Sequence, residues 1–340
     1  MERSLTNIAN YVAESGHEVT ILNLFKTKVF FDLHPSIQLI WPSIDRARNH
    51  RLIYAVKLIP FIRRSLRRIQ PDSVLSFGEW FNSYVLIATR GLNLPVFVSD
   101  RMGPDLYLGW MLEAARKLMY KYASGIIAQT NDAASKLYNK TGSDKITIIP
   151  NALRPVDVHG LTKKNRIVTV GRLSREKGQD VLIRAFAGME RKDWTLHIVG
   201  DGREMEKLRL LAKDLYVEDS VFFYGHLKDF GHILGESKIF VLPSYYEGFP
   251  NALIEAMSVP LACISSNCVA GPADIIQHGI NGLLFEPGNE EQLIDHLNLL
   301  SKDENLMAEL SMEAINIRET LEFKKIARNY LNYILGDVQN

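Results

Sequence analysis

The chain has 340 residues, more than one ordinary hydrophobic core accommodates, and this length predicts two domains of similar size. Its composition, 46% hydrophobic and 23% charged, excludes disordered and fibrous proteins, and a formal net charge of +1 gives no overall attraction to nucleic acid. The sequence shows neither a signal-peptide pattern nor an apolar run of membrane-spanning length. Because Cys263 and Cys268 are not spaced as a redox or zinc motif, we expect a cytoplasmic protein with free thiols.

Short β-rich runs alternate with helical patterns in the first half, which predicts crossover units on a parallel sheet. A helix is predicted over residues 4–13, and strands follow at 18–24, 74–77, 96–99, 125–129 and 146–149. Parallel sheets of this type normally start with a strand. We therefore expect the first domain to lack its first strand.

Residues 46–68 contain eight Arg and Lys residues, no acidic residue, and apolar residues between the charges. Such a segment suits an anionic membrane surface, where each Lys or Arg contributes about 1 kcal/mol. The alternative is a solvated helix face above a core stripe, with Pro60 interrupting the helix. The pattern leaves both interpretations open.

The second half repeats the alternation, with predicted strands at 166–170, 195–199, 221–224, 239–242 and 261–265. Periodicity is lost at 154–164, so we place the domains at 1–155 and 156–320. Residues 321–340 follow as a segment that contains an amphipathic helix at 323–335. The pattern leaves open which domain this helix packs against, the first included.

The loop at 171–178 follows the strand at 166–170 and leads into a predicted helix. Ligands of doubly wound sheets bind beyond the carboxyl ends of strands, where this loop lies. Arg172 and Lys177 are thus placed to meet a diphosphate, although an exposed basic loop is the plain alternative. The glycines at 200 and 202 also follow a strand, but glycines in such loops mostly make tight turns.

The stretch at 241–257 combines a buried strand, an irregular turn and a helix start. Pro250 suits a first helical position, and the amides of that helix start can hold phosphate. Glu255, further along the helix, can accept hydrogen bonds from the hydroxyls of a ribose. Glu247, in the turn, is free to approach a sugar.

Glu247 and Glu255 are separated by seven residues, and in this context they resemble the Glu-x7-Glu signature of retaining GT-B glycosyltransferases of family four. The resemblance extends to residues 2–5, 16–20, 171–178 and 279–287. It implies an α/β protein of two doubly wound Rossmann-like domains that face each other. The first would lie on the acceptor side, and the second would bind a nucleotide sugar.

By this resemblance, Arg172 and Lys177 bind the donor diphosphate, Glu255 binds the ribose, and Glu247 lies beside the donor sugar as a catalytic residue. A weaker candidate is His226, which follows a strand and has an equally plain structural interpretation. The other donor-binding candidates are Gly171, Gly248, Phe249, Pro250 and Asn251.

The sequence departs from the family pattern in the first domain. Relatives begin with a strand and a glycine-rich turn before the first helix, and here Met1 stands where that turn ends. Where many relatives carry a His near the reacting sugar, this chain has Arg101, which can stabilise phosphate charge but cannot act as a base. Asp100, the adjacent carboxylate, is the other catalytic candidate, with a turn cap as the alternative.

Residues 265–276 resemble the members that build bacterial surface glycans, often from UDP-N-acetylhexosamines on polyprenyl-diphosphate carriers. We therefore expect transfer of a hexose or N-acetylhexosamine from a UDP-sugar to a lipid-linked or growing surface glycan, with retention and front-face attack. No Asp-x-Asp occurs, so we expect neither a metal nor a cofactor. The anticipated location is cytoplasmic, peripheral on the inner membrane face. Two alternatives stay open: a nucleotide-sugar epimerase on the same fold, and an inactive remnant that only binds nucleotide.

Overall fold

The computed structural model describes residues 2–25, 31–44, 51–103, 105–158 and 162–336, with the side chains of residues 51 and 52 left out. Two compact units divide the chain. The first combines the residues up to Ala152 with those from Phe323 onward, and the second comprises Leu153–Glu322. The division thus falls at 152/153 and 322/323, where the sequence suggested 155/156 and 320/321. Residues 159–161, inside the predicted junction, lie outside the described residues.

In the first unit, a helical layer covers a parallel sheet. The elements are α1 (Glu2–Glu14), β1 (Thr20–Leu22), β2 (Gln38–Ile40), α2 (Arg51–Ile69), β3 (Val74–Phe77), α3 (Glu79–Thr89), β4 (Val96–Ser99), α4 (Trp110–Met119), β5 (Gly125–Ala128), α5 (Asn131–Thr141) and β6 (Ile146–Ile148). Strands β3 to β6 form a four-stranded parallel sheet in chain order, and β1 pairs with β2 in a separate parallel pair. The sequence pattern missed β2 and overestimated the length of β1.

Helix α2 runs through Pro60 without a break, contrary to the expected interruption. Its buried residues Tyr54, Leu58, Ile62 and Leu66 are spaced four apart, so they form one stripe against the core. Burial of this stripe offsets the hydrogen bond that the proline ring removes. The first five residues of the predicted basic segment, 46–50, lie outside the described residues.

The second unit has a six-stranded parallel sheet. Its elements are β7 (Arg166–Val170), α6 (Gln179–Gly188), β8 (Thr195–Val199), α7 (Met205–Asp214), β9 (Val221–Phe223), α8 (Gly231–Glu236), β10 (Ile239–Leu242), α9 (Asn251–Met257), β11 (Ala262–Ser266), α10 (Pro272–Ile275), β12 (Leu283–Phe285), α11 (Glu290–Lys302), α12 (Glu304–Ala314) and α13 (Ile317–Thr320). The strand order is β12-β11-β10-β7-β8-β9. All the predicted strands are present, and β12 is an addition.

A last helix, α14 (Phe323–Leu335), returns to the first unit. Tyr330 and Ile326 are buried there, and Tyr11 of α1 meets Phe323 edge to face. Gly125 of β5 lies directly under the ring of Tyr333, since a Cβ added at this glycine would lie 2.2 Å from the Tyr333 hydroxyl oxygen. The amphipathic pattern at 323–335 therefore serves the core of the first unit.

Candidate functional site

The second sheet reverses its winding direction between β7 and β10. The chain builds outward from β7 through β8 to β9, then returns to the other side of β7 and continues through β10 and β11 to β12. The loops that follow β7 and β10 therefore begin side by side at the ends of two adjacent strands, which pair at Ile239 with Ile167 and at Phe240 with Val168. Ligands of doubly wound sheets bind in the crevice at such a switch point. The two most informative sequence motifs, 171–178 and 241–257, flank it.

These two loops are in direct contact. The backbone N–H of Tyr245 donates to the Glu176 carbonyl oxygen at 2.9 Å. Gly178, with φ of +63°, passes so close to the second loop that an added Cβ would lie 2.2 Å from the Pro243 carbonyl oxygen. Only glycine fits this crossing, because it tolerates both the left-handed backbone and the close approach.

Lys177 and Glu247 form a buried ion pair at this crossing. The Lys177 Nζ lies 2.6 Å from Glu247 Oε1, and the Ser244 hydroxyl donates to the same oxygen at 2.7 Å. The side chains of Lys177 and Glu247 are 20% and 7% exposed. An ammonium group has three N–H donors, so two of those on Lys177 are available beyond this contact. The structure thus combines two of the predicted donor-site residues in one cluster.

The loop after β11 completes the surroundings of this pair. Burial raises the pKa of the Cys268 thiol to about 11, and Glu247 raises it while Lys177 lowers it, so the thiol is close to both charges and stays neutral. The Ser266 hydroxyl donates to the Ser244 carbonyl oxygen. Sequence reasoning missed Ser244, Ser266 and Cys268. Only Ser244 carried a usable signal, because it lies three residues before Glu247 in the turn.

Arg172 is an accessible cation of the first loop. Its side chain is 71% exposed, and its guanidinium lies 3.3 Å from Glu176 Oε1. The Ser174 hydroxyl, which donates to the Glu176 carboxylate, is the main cause of the lowered Glu176 pKa, with Arg172 and Lys177 adding to it. Glu176 therefore holds a negative charge that tethers Arg172 loosely on an open surface.

The loop after β8 packs against the loop after β7. An added Cβ at Gly200 would lie 1.8 Å from the Gly171 carbonyl oxygen, and one at Gly202 would lie 2.1 Å from the Leu173 carbonyl oxygen. The Leu173 N–H in turn donates to the Asp201 carbonyl oxygen at 2.9 Å. These glycines hold the backbone of the candidate phosphate loop, a role that their spacing alone did not reveal.

The start of α9 differs from the expectation. Pro250 precedes the helix, and its carbonyl oxygen accepts the N–H groups of Leu253 and Ile254 at 3.0 and 3.3 Å. The Asn251 N–H donates to the Phe249 carbonyl oxygen at 2.9 Å. The tight turn therefore uses amides that we expected to hold phosphate.

The remaining second-unit candidates lie at different depths. Phe249 and Pro250 are buried, whereas Gly248 and Glu255 are partly exposed and Asn251 is exposed. His226 is exposed and follows the edge strand β9, with β8 between β9 and β7. Its neighbour Gly225 forms a β-bridge with Gly200, which lies against Gly171 of the first loop.

In the first unit, Asp100 is the centre of a buried polar cluster at the carboxyl end of β4. Its Oδ1 accepts from the Asn82 amide at 2.9 Å and from the Tyr120 hydroxyl at 2.6 Å, and Arg116 lies 3.8 Å from Oδ2. Burial, with a further contribution from the charge of Glu79, raises the pKa of Asp100 to about 7. The hydrogen bonds give Asp100 a structural role that neither predicted alternative, a catalytic carboxylate or a turn cap, included.

Arg101 is fixed by contacts on several sides. Its guanidinium donates to the Tyr330 hydroxyl and to Asn151 Oδ1, both at 2.7 Å, and lies 5.0 Å above the ring of Phe77. Its backbone N–H donates to Glu79 Oε1 at 2.6 Å. Two of five guanidinium N–H groups are used in these bonds, so a preorganised cation lies at this edge of the first sheet.

The raised pKa of Asp100 predicts how the stability of the first unit depends on pH. Because the folded state keeps a proton that the unfolded chain releases, the free energy of unfolding should fall between about pH 4 and pH 7, by at most about 1.4 kcal/mol per pH unit. Asp100→Asn should flatten this slope. Urea titrations followed by tryptophan fluorescence can test it, since Trp41, Trp80 and Trp110 belong to this unit. Asp72→Asn, at an exposed position, is the control, and an unchanged slope in Asp100→Asn would contradict the assignment.

No group of three or more His, Cys, Asp and Glu side chains suited to a metal ion occurs in the described part of the chain. Within the same residues, no helix has the length and apolar character needed to span a membrane.

Two family models match the chain in succession. Residues 1–155 match the model described as Glycosyltransferase Family 4, and residues 156–317 match that described as Glycosyl transferases group 1. An uncharacterized glycosyltransferase of Methanocaldococcus jannaschii is 32% identical over 332 residues, which cover 84% of this chain and 79% of the relative. A lipopolysaccharide 1,6-galactosyltransferase of Salmonella typhimurium is 38% identical over 183 residues, which cover 52% of this chain and 47% of the relative.

Solved structures share the fold along nearly the whole chain. The Anabaena protein HepE in complex with UDP superposes with a TM-score of 0.78 and 17% identity, covering 97% of this chain and 94% of HepE. The structural neighbours of this chain are GT-B glycosyltransferases, and the parallel α/β units described above agree with two Rossmann-like domains. The chain belongs to the GT-B glycosyltransferases of the family 4 type.

Proposed function

We propose that this glycosyltransferase moves a hexose or N-acetylhexosamine from a UDP-sugar to a lipid-linked or growing surface glycan. The observation that carries the proposal is the Lys177–Glu247 pair at the switch point of the second sheet. The UDP complex of HepE supports the choice of UDP, and the Salmonella relative supports a lipopolysaccharide-type acceptor. The donor site is proposed to comprise the loops after β7 and β10.

Each charged group in the cluster has a proposed task. Lys177 and Arg172 neutralise the departing diphosphate, one as a point charge and the other through its planar fork. Glu247, buried beside Lys177, lies along the donor sugar, where its negative charge stabilises the positive charge that develops at the anomeric carbon. Glu255 accepts hydrogen bonds from the ribose hydroxyls. We propose that attack occurs on the front face, with retention, without an enzyme nucleophile and without a metal.

The first unit is proposed to bind the acceptor. Arg101 is fixed by Tyr330 and Asn151 at the carboxyl edge of the first sheet and retains free N–H donors. A fixed cation at this place supports a role in stabilising the negative charge of the leaving phosphate. The carboxylate of Asp100 is buried. We therefore propose that Asp100 acts indirectly, by holding the backbone next to Arg101 through its contacts with Asn82, Tyr120 and Arg116.

Calorimetric titration with UDP, without added metal, tests the donor site. Glu255→Gln should weaken UDP binding about tenfold, since a hydrogen bond to a charged group contributes about 1.5 to 3 kcal/mol. Glu236→Gln is the matched control. That glutamate also pairs with cations, Lys164 and Arg166, but near the amino ends of the strands, and its loss should leave UDP binding unchanged.

The identity of the products tests the reaction class. With a panel of UDP-sugars and a lipopolysaccharide-type acceptor, the expected product is an extended glycan. Release of free sugar without an extended glycan would favour the epimerase alternative. A folded sample that binds no UDP would contradict the donor site itself.

A further inference from the structure

Exposed apolar side chains are concentrated around α4 in the first unit. Trp110, Tyr107 and Leu118 are 74%, 68% and 58% exposed, and Met111 and Tyr122 are also exposed. Positions 110, 111, 114 and 118 share one side of a helix, because helical neighbours recur every three or four residues. We call the five exposed side chains the α4 face. An apolar surface of this kind marks an interaction site in soluble proteins.

Exposed lysines border the α4 face. Lys117 and Lys121 are exposed beside it. The two carboxylates of residues 102–122 are both engaged elsewhere: Asp105 pairs with Lys136 at 2.6 Å, and Glu113 accepts from the Leu108 N–H and lies 3.6 Å from Arg116. The face therefore combines large apolar groups with cations, and the one exposed carboxylate of this stretch, Asp105, is already paired with Lys136.

Helix α2 extends this surface at one end. The helices α2, α3 and α4 pack side by side, and right-handed crossovers place α3, α4 and α5 on one side of the sheet. Arg63 of α2 donates to the carbonyl oxygens of Ala88 and Arg90, and the Arg90 guanidinium lies 3.6 Å above the Tyr122 ring. The end of α2 thus meets the end of the α4 face. Its exposed residues include Ile53, Val56, Lys57, Arg64, Arg67 and Arg68.

We infer that the α4 face docks on an anionic lipid bilayer. Trp110, Met111 and Leu118 enter the boundary between head groups and acyl chains, while Lys117 and Lys121 meet the lipid phosphates. Tryptophan and tyrosine favour this interface, and each nearby Lys or Arg contributes attraction to anionic lipid. The exposed arginines of α2 add positive charge at the edge of the α4 face. The basic segment thus assists the docking of the α4 face, whose apolar residues the sequence pattern did not identify.

This docking rests on the proposed function in one respect, the lipid-linked acceptor. Helix α4 begins at the carboxyl edge of the first sheet, the edge at which Arg101 is fixed. A bilayer held by the α4 face would present an acceptor head group to that edge. The interaction of the face with lipid is nevertheless a physical property that vesicles can report without any substrate.

Flotation of the full chain with vesicles tests the inference. We expect binding to phosphatidylethanolamine vesicles that contain phosphatidylglycerol, and little binding to phosphatidylcholine alone. The triple variant Trp110→Ser, Met111→Ser, Leu118→Ser should bind at least about tenfold more weakly. Lys117→Glu with Lys121→Glu should weaken the preference for anionic lipid, since the α2 arginines remain. The control is Leu210→Ser with Tyr216→Ser, which removes two exposed large side chains from the second unit and should bind like the parent.

Tryptophan emission provides a second measurement that does not depend on the triple variant folding. Vesicles should shift the emission of the parent chain to shorter wavelength, and Trp110→Phe should lose most of that shift while it still floats with the vesicles. Normal flotation of a folded triple variant would overturn the inference, and so would a parent chain that binds UDP but no vesicles, which would point to a protein partner. A parent chain that binds vesicles but no UDP would support the inference and contradict the donor site.

Discussion

Glu247→Gln is expected to lower kcat about 100-fold while the affinity for UDP changes less than about threefold. Glutamine keeps an oxygen at the position that accepts from Ser244 and Lys177, so the turn should retain its shape. The substitution removes the negative charge beside the donor sugar, and loss of one such electrostatic contact costs about 10²- to 10³-fold in turnover. Because the charge acts on the sugar and not on the nucleotide, UDP binding should be preserved.

Lys177→Met is the complementary change and should show the opposite pattern in UDP binding. It removes the cation proposed to meet the diphosphate, so UDP affinity should fall at least about tenfold. It also leaves the Glu247 carboxylate buried with the Ser244 hydroxyl as its remaining partner in this cluster, which should lower the unfolding midpoint.

Initial rates and UDP calorimetry on the same preparations separate these effects. Glu236→Gln, which breaks a different ion pair of the second unit, is expected to keep kcat within about twofold. If Glu247→Gln lost UDP affinity and Lys177→Met lost only turnover, the two roles would have to be exchanged.

The donor loops could be identified from the sequence because their signals are local. Each loop follows a continuous apolar run, and the charged residues of each lie within eight positions of the strand end. Lys177 and Glu247 are 70 residues apart, so placing them together required one more fact, the adjacency of β7 and β10. A doubly wound sheet supplies that adjacency once its strand order is known.

The surroundings of Arg101 could not be read from the sequence. Its contact with Tyr330 spans 229 residues and depends on the return of α14 to the first unit. The cluster around Asp100 likewise joins α3, β4 and α4, and none of these contacts leaves a periodic pattern. The amphipathic pattern of α14 predicted a packed helix, but no feature of it indicates the partner.

The basic segment shows that a run of charged residues in the sequence does not tell which of their side chains are free at the surface. Arg63 belongs to the same run as Arg64, Arg67 and Arg68, yet its guanidinium is used to bind the end of α3. Pro60 suggested a broken helix, whereas the four-residue spacing of the buried stripe was the stronger signal. The large exposed residues of α4 had no charged run beside them and went unnoticed until their exposure was known.

Gly178→Ala is expected to have the largest effect on the second unit, because it forces apart the two loops of the donor site. A Cβ at this position would lie 2.2 Å from the Pro243 carbonyl oxygen. The alanine would also have to adopt the left-handed backbone conformation of Gly178, with φ of +63°. The left-handed conformation costs about 1 to 2 kcal/mol, and the steric overlap costs about 1 to 3 kcal/mol more. We therefore expect a loss of about 2 to 5 kcal/mol in the free energy of unfolding and at least about tenfold weaker UDP binding.

Gly279→Ala separates the steric overlap from the backbone strain. Gly279 belongs to the same unit and has φ of +77°, but a Cβ there would meet no atom within 4 Å. Its substitution should cost only the backbone strain, about 1 to 2 kcal/mol, and should leave UDP binding unchanged. Urea unfolding and UDP calorimetry on both variants provide the comparison. Equal losses of stability, or a Gly178→Ala variant that binds UDP normally, would show that the contact between the two loops does not shape the donor site.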